Sequence, residues 1–366
     1  MFFATSNHGP GYGAFESAIA ASTGAQHVVG CCARSVLGPP GDDERGAAVA
    51  ALAIGGDVEA QRFYLTSLRG RAHEVGREIG RSVQALDSES KTVLLLADSY
   101  NLAPDELLAG VESTAPGVTV LGAGATEDGA TGETSVVGRG ASSSNAVVGL
   151  AIGGVAVTSA IARACFPVTP WRVVTRADCN RVLEIDGRPA LEVFLESVPE
   201  TLREDLPTTI RSTLCGIADT DDAASDPEFL VRRFVGVDER SRALLVGDEV
   251  VAGSRLAIVV RDAGAARRSL DACLETVLAA PRLAGALVFD DIERGEAFFG
   301  FPGHDAAYLQ RHLSELPFAG FFGSVEIAPL GGRNRFHQYT SVVVGLSDAA
   351  EDDDEADESD ALRADH

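Results

Sequence analysis

TVLLLADS (92–99), PDELLAGVEST (104–114) and VTVLGAGA (118–125) follow one another and read strand, helix, strand. The first and last pieces are runs of Val, Leu and Ala, as strands buried on both faces should be. In the middle piece Pro104 suits the first helical position, and Asp105 and Glu106 suit the positive end of the helix dipole. Leu107, Leu108 and Val111 share one face. The same sentence is written twice more. FFAT (2–5), YGAFESAIAAST (12–23) and QHVVGCCA (26–33) precede it, and GALVFDD (285–291), HDAAYLQRHLSEL (304–316) and FAGFFGSV (318–325) follow it. Each copy then has a polar loop and another apolar run: AAVAALAIGG (47–56), NAVVGLAIGG (145–154) and TSVVVGL (340–346). Self-similarity of this kind signals a repeated folding unit.

The expected fold class is α/β. Mixed sheets built from strand–helix–strand repeats are expected as two stacked sheets between outer helix layers, with the glycine ends of the three repeats converging on one cleft. A different region lies between the second and third copies. VVTRADCNRVLEIDGRPALEVFLESV (173–198) reads as a hairpin turning at Asp186-Gly187, then a helix begun by Pro189. Residues 230–262 alternate like an antiparallel meander with a turn at Asp238-Glu239, and 265–280 form an amphipathic helix. GIADTDDAASDP (216–227) reads as a boundary loop. We therefore expect domains at 1–215 and 228–346, and an acidic disordered tail at 347–366.

A chain of 366 residues is too long for one ordinary core, and its 45% hydrophobic content fills two. No apolar run reaches the length of a membrane span, and the start shows no secretory pattern. Six cysteines (31, 32, 165, 179, 215, 273) form no CxxC pair, so reduced thiols in the cytoplasm are expected. The net charge is −24, of which residues 348–366 carry −9. This acidic protein is a poor partner for nucleic acid or an anionic membrane, since both select basic surfaces.

Candidate binding residues cluster after the third repeat, in GFFGSVEIAPLGGRNRFHQYTSV (320–342). Gly323 ends the strand. Arg333, with Asn334 beside it, offers a fork for a carboxylate, Glu326 a partner for an amino group, and His337 a hydrogen bond to either. That set suits a zwitterion. The competing reading pairs Glu326 with Arg333 across a turn. Gly122, Cys31, Cys165 and Thr175 are the other candidates to line the same space. Cys31 and Cys165 also suggest a cysteine- or carboxylate-dependent enzyme on a small metabolite, but no residue is assigned a catalytic role. Adjacent Cys31-Cys32 would strain a mutual bridge, and the sequence offers no basic neighbour to activate a thiolate. The histidines lack metal-ligand spacing, so no metal is expected. Haem through His337 is the one cofactor reading kept open. GAGATEDGATGE (122–133) lacks both the phosphate-loop lysine and the third glycine of the dinucleotide fingerprint.

The order and wording of several stretches resemble FIST-domain proteins, which carry an N-terminal and a C-terminal part. The matching pieces are VVGCCARSVLG (28–38), AVVGLAIGG (146–154), ACFPVTPWRVVTRADCNRVLEIDGRPALEVF (164–194), FLVRRFVGVD (229–238) and GFFGSVEIAPLGGRNRFHQYTS (320–341). The resemblance implies a cytosolic sensory and signal-transduction module that binds a small ligand, with amino acids as proposed ligands. Relatives are often joined to kinase, cyclase or chemotaxis output modules. This chain carries none, so its output partner is expected to be a separate protein. Relatives also place a helix before the first strand, whereas this sequence opens on the strand, which leaves it less covered. Where relatives tend to end a strand on a Phe-Ser-Cys-like run, this chain has Phe289-Asp290-Asp291.

Overall fold

The computed structural model describes residues 1–43, 46–219 and 227–348. The acidic tail beyond Asp348 and most of the expected boundary loop lie outside the described residues. All three repeats are present. Strand Phe2–Thr5, helix Tyr12–Thr23 and strand Val29–Ala33 form the first unit, Lys91–Ala97, Pro104–Thr114 and Thr119–Gly124 the second, and Leu283–Asp291, His304–Leu313 and Phe318–Gly323 the third. In each unit the two strands pair in parallel. The following strand (Val49–Ala51, Ala146–Gly153 or Thr340–Asp348) pairs antiparallel on the far side of the first.

A hairpin in each unit carries the fold further. Residues 36–43, 136–143 and 326–337 each form two short antiparallel strands. None pairs within its own unit. The first hairpin pairs with the third unit through Gly320↔Leu37, the second with the first through Gly30↔Val137, and the third with the second through Ile327↔Gly122. The exchange is cyclic, so the three sheets share one order: borrowed hairpin, second strand, first strand, antiparallel strand. Glu59–Thr66 and Val155–Arg163 extend the second and third sheets to six strands.

Packing follows from this alternation. One face of the second sheet (Val93, Leu95, Val120, Val147) meets helices Ala72–Gln84 and Pro104–Thr114. One face of the third (Val288, Phe318, Phe322, Val343) meets helices Ala263–Leu278 and His304–Leu313. The opposite faces join the five-stranded first sheet in a central core containing Phe3, Leu94, Leu96, Phe289, Phe321 and Val344. Phe3 packs against Phe321 and Phe289 at ring-centroid distances of 4.8 and 6.4 Å. Two six-stranded mixed sheets, each covered by helices on its outer face, therefore share one core with the small sheet.

The intervening region is antiparallel. Strands Arg172–Asp178, Arg181–Ile185, Ala243–Val246, Phe229–Asp238, Leu214–Ala218 and Arg255–Arg261 close into a ring, because the last pairs with both Leu214–Ala218 and Arg172–Asp178. The ring is filled by Val174, Val182, Phe234, Leu244 and Leu256, and helix Ala190–Ser197 adds Phe194. The tight turn at Asp186-Gly187 is there, both residues with positive φ, although the main hairpin turns earlier, at Cys179-Asn180. Pro189 caps the helix from outside. The expected division between 215 and 228 falls between two paired strands of this ring. Buried Arg232 ties the ring to the third hairpin. Its Nε donates to Asp248 at 2.6 Å, an Nη donates to the Phe336 carbonyl at 3.1 Å, and the guanidinium lies 3.7 Å from the Phe336 ring centre.

Candidate functional site

The strand ends of the three units converge. The backbone N–H of Arg34 donates to Thr126 Oγ1 at 3.0 Å, and that hydroxyl donates in turn to the Phe322 carbonyl. Phe322 N–H donates to Ser35, Gly124 N–H to Val325, and Ser324 N–H to Gly124. Cys32 Sγ lies 3.3 Å from the Thr126 carbonyl, and the Ser99 and Ser324 hydroxyls bond each other. The expected hollow is filled at its centre by this knot of small polar groups.

Space opens beside the knot, where the third unit departs from the other two. The loop between first strand and helix has six residues in the first unit (6–11), six in the second (98–103) and twelve in the third (292–303). Its added length forms a 3-10 turn, Ile292–Arg294, and a short helix, Glu296–Phe299. Gly300 and Gly303 end it at φ 85° and 78°, a region costly for residues with a Cβ. The loop walls a cavity of about 860 Å3 lined by Arg34, Ser35, Glu293, Glu296, Gly300 and Phe322 among others. Ligands of α/β proteins sit outside the carboxyl ends of strands, as this cavity does. The exposed Arg34 guanidinium makes no ion pair among the described residues. The wall thus carries the Arg34 cation and the carboxylates of Glu296 and Glu293, the latter paired with Arg261 at 3.1 Å and Arg233 at 3.5 Å.

Behind the wall lies a buried polar cluster. Arg294 Nε sits 2.8 Å from Asp290 Oδ1 and 2.9 Å from Asp305 Oδ2, with all three side chains at most 1% exposed. His304 Nδ1 donates to Asp305 at 2.7 Å, while its Nε2 accepts from Arg267 at 2.9 Å, which sets the tautomer. Its ring stacks between Phe299 and Tyr308. Burial and the neighbouring Asp305 charge push Asp290 well above the usual carboxyl range. Burial also acts to raise Asp305, but the Arg294 charge and the His304 hydrogen bond outweigh it and hold it low. Asp291, buried yet accepting N–H bonds from Glu293 and Tyr339, is pushed up to about 6.

The candidates from the sequence are scattered over this frame. Glu326 and His337 face each other across the third hairpin, both buried. Glu326 accepts from Thr340 at 2.9 Å, and His337 Nε2 meets the Ala328 carbonyl at 3.1 Å, the atom an axial haem ligand would use. Arg333 stands apart at the exposed hairpin tip, on a second cavity of about 470 Å3 with Asn334, Arg335, Asp105 and Glu112. Neither the three-residue clasp nor the Glu326–Arg333 pair forms. Asn334 is spent on the backbone, accepting from Val120 N–H and donating to the Val118 carbonyl. Gly323 packs against Ala123 and the Gly124 carbonyl. The close approach that requires Gly122 is to a neighbouring strand and not to a ligand: an added Cβ would sit 1.9 Å from the Leu95 carbonyl oxygen. Cys31 is sealed in the central core, and burial drives its thiol well up. Cys165 is buried in another cluster and pushed up to about 12 by burial. Thr175 is exposed on the ring, accepting from Gly187 N–H. Arg34, Asp290, Arg294 and Asp305 were not among the candidates. The signals in the sequence are the Phe289-Asp290-Asp291 strand end, for Asp290, and the doubled length between first strand and helix in the third copy, for Arg294 and Asp305; Arg34 carries none.

Fold and site together define an α/β module of three interlocked units with an elaborated loop at shared strand ends. The chain belongs to the FIST family: the FIST N domain matches residues 1–188 and the FIST C domain residues 190–329. FIST domains are small-ligand-binding sensory domains of signalling proteins. An uncharacterized Mycobacterium tuberculosis protein is 29% identical over 333 residues, covering 89% of this chain and 85% of the relative. An uncharacterized Mycobacterium bovis protein is 29% identical over 322 residues, covering 86% and 81%. Among the described residues no helix is long and apolar enough to cross a membrane.

Proposed function

We propose that this protein is a sensory domain whose ligand is an amino acid or a similar small anionic or zwitterionic metabolite, held in the cavity walled by residues 292–300. One observation carries the reading: the first two units pass from first strand to helix in six residues and the third in twelve, and the cavity lies against that longer loop. A repeated scaffold needs six residues to pass from strand to helix, so the extra six serve another purpose. Arg34 gives the cavity mouth a positive charge that favours an anionic ligand, and Glu296, with the arginine-paired Glu293 beside it, favours an ammonium group. A ligand there touches the first unit through Arg34 and Ser35 and the third through the loop. Occupancy would then bias how the two sit together, which is what a separate output protein would detect.

Thermal-shift screening with amino acids and organic acids tests this. A ligand at one hundred times its dissociation constant stabilises the native state by about 2.7 kcal/mol. Arg34→Glu is expected to abolish the shift, while Arg333→Ala, on the other cavity, leaves it unchanged. The reverse result would move the site to the third hairpin.

A further inference from the structure

The interlocked units permit an internal comparison, residue by residue. Pairing across the parallel strands aligns Phe2, Leu95 and Val288, because each faces the glycine that meets the borrowed hairpin. Two residues on, Ala4 of the first unit and Ala97 of the second correspond to Asp290 of the third. Their antiparallel partners are Val49, Val147 and Ser341. Two units therefore build this position from Ala against Val, and the third from Asp against Ser. The scaffold does not need a polar pair there. The same unit adds Arg294 from its lengthened loop and Asp305 from its helix.

This cluster is not saturated. Arg294 Nε donates to Asp305 and lies 2.8 Å from Asp290 Oδ1, yet neither Asp290 oxygen has a hydrogen-bond partner among the described residues. Nη1 and Nη2, fully buried, find no hydrogen-bond partner among the described residues, and neither does Ser341 Oγ. Burying unpaired donors is costly, and on a guanidinium more so. Ile292, Glu293 and Gly295 around Arg294 line the cavity, while the Arg294 side chain turns inward to Asp290 and Asp305 and does not itself line it. A fork of two unpartnered donors matches the geometry of a carboxylate, and Ser341, the strand partner of Asp290, adds a hydroxyl to the same cluster.

We propose that Arg294 is the anchor for the ligand's carboxylate, which enters past residues 295–303 and takes the Nη1–Nη2 edge with Ser341 beside it. This rests on the small-ligand reading above and makes it specific: the ligand class is a carboxylate, with any ammonium group left toward Glu293 and Glu296. Asp305 then serves to hold the fork in place. Asp290, held toward its protonated form, adds a carboxyl that does not repel the incoming anion.

Isothermal titration and thermal shift on the full chain provide the test, with three probe sets: amino acids, the corresponding amines lacking the carboxylate, and simple mono- and dicarboxylates. Carboxylate-bearing probes are expected to bind and the amines not. Arg294→Lys keeps the charge but loses the fork, and is expected to weaken binding about tenfold to a hundredfold. Ser341→Ala places a small apolar residue where two units already carry valine, so the protein should fold and bind several-fold more weakly. Amines binding as well as amino acids, or unchanged affinity in Arg294→Lys and Ser341→Ala, would overturn the anchor while leaving the ligand reading intact. Wild-type protein that binds none of the three sets overturns both.

Discussion

Glu326 and His337 face each other across one hairpin, and burial acts on them in opposite senses. An unfolded glutamate releases its proton above about 4.5; folded Glu326 keeps it far longer, because burial and the neighbouring Asp291 charge disfavour the anion. Over that range the native state binds more protons than the unfolded chain, so stability falls as pH rises. His337 is depressed from 6.5 to about 3 by burial. Below 6.5 the unfolded chain takes a proton the native state refuses, so stability falls as pH drops. From this pair alone, stability is level between 4.5 and 6.5 and declines on both sides. Glu326→Gln mimics the protonated form and is expected to gain on wild type above about pH 4.5, where the unfolded glutamate loses its proton, by up to about 1.4 kcal/mol per pH unit. Urea denaturation at several pH values reads this directly; parallel curves for the two proteins would refute it. The sequence shows Glu326 as part of a polar loop. Its burial follows from pairing with a strand two hundred residues earlier, and no local pattern reports that.

At the scale of elements, the repeats were legible because each states itself locally. Runs of β-branched and aliphatic residues mark the strands, and Pro104 or a three-and-four spacing marks the helices. The hairpins were not legible. Val36–Gly38 and Val136–Gly138 are three residues long, and their partners lie in other units. The glycines of the second strands were visible, but their purpose was misread. Gly30, Gly122 and Gly320 hold equivalent positions, and in each a Cβ would meet the carbonyl oxygen of the paired strand, at 2.5, 1.9 and 2.1 Å. Nothing flexible yields there, since the obstacle is backbone. Gly122→Ala is expected to cost about 3 kcal/mol or more. Gly55, whose added Cβ meets nothing within 4 Å and whose φ is ordinary, serves as the control and should change stability by less than about 0.5 kcal/mol as alanine. Equal losses in the two variants would show that the close approach is not what the glycine is for.

The whole molecule is held together by exchange. Hairpin 36–43 completes the third unit's sheet, hairpin 326–337 completes the second's, and Val155–Arg163 lies along Thr340–Asp348. The two family domains, meeting near residue 189, therefore share two sheets, and the antiparallel ring takes strands from both sides of that point. A fragment of residues 1–188 would present Thr119–Gly124 with no hairpin against it, and its own hairpin 36–43 with nothing to pair. Residues 190–366 would carry the complementary defects. Unpaired edges of this kind expose backbone groups and apolar faces together. Each fragment made alone is expected to aggregate or to unfold without cooperativity, whereas the two made together should co-purify as one species that melts cooperatively. A monomeric, cooperatively unfolding 1–188 fragment would mean that the exchange contributes little. The same interlock bears on the proposed sensing, because a ligand in the proposed cavity, between Arg34 of the first unit and the long loop of the third, would pull on three units none of which can shift alone.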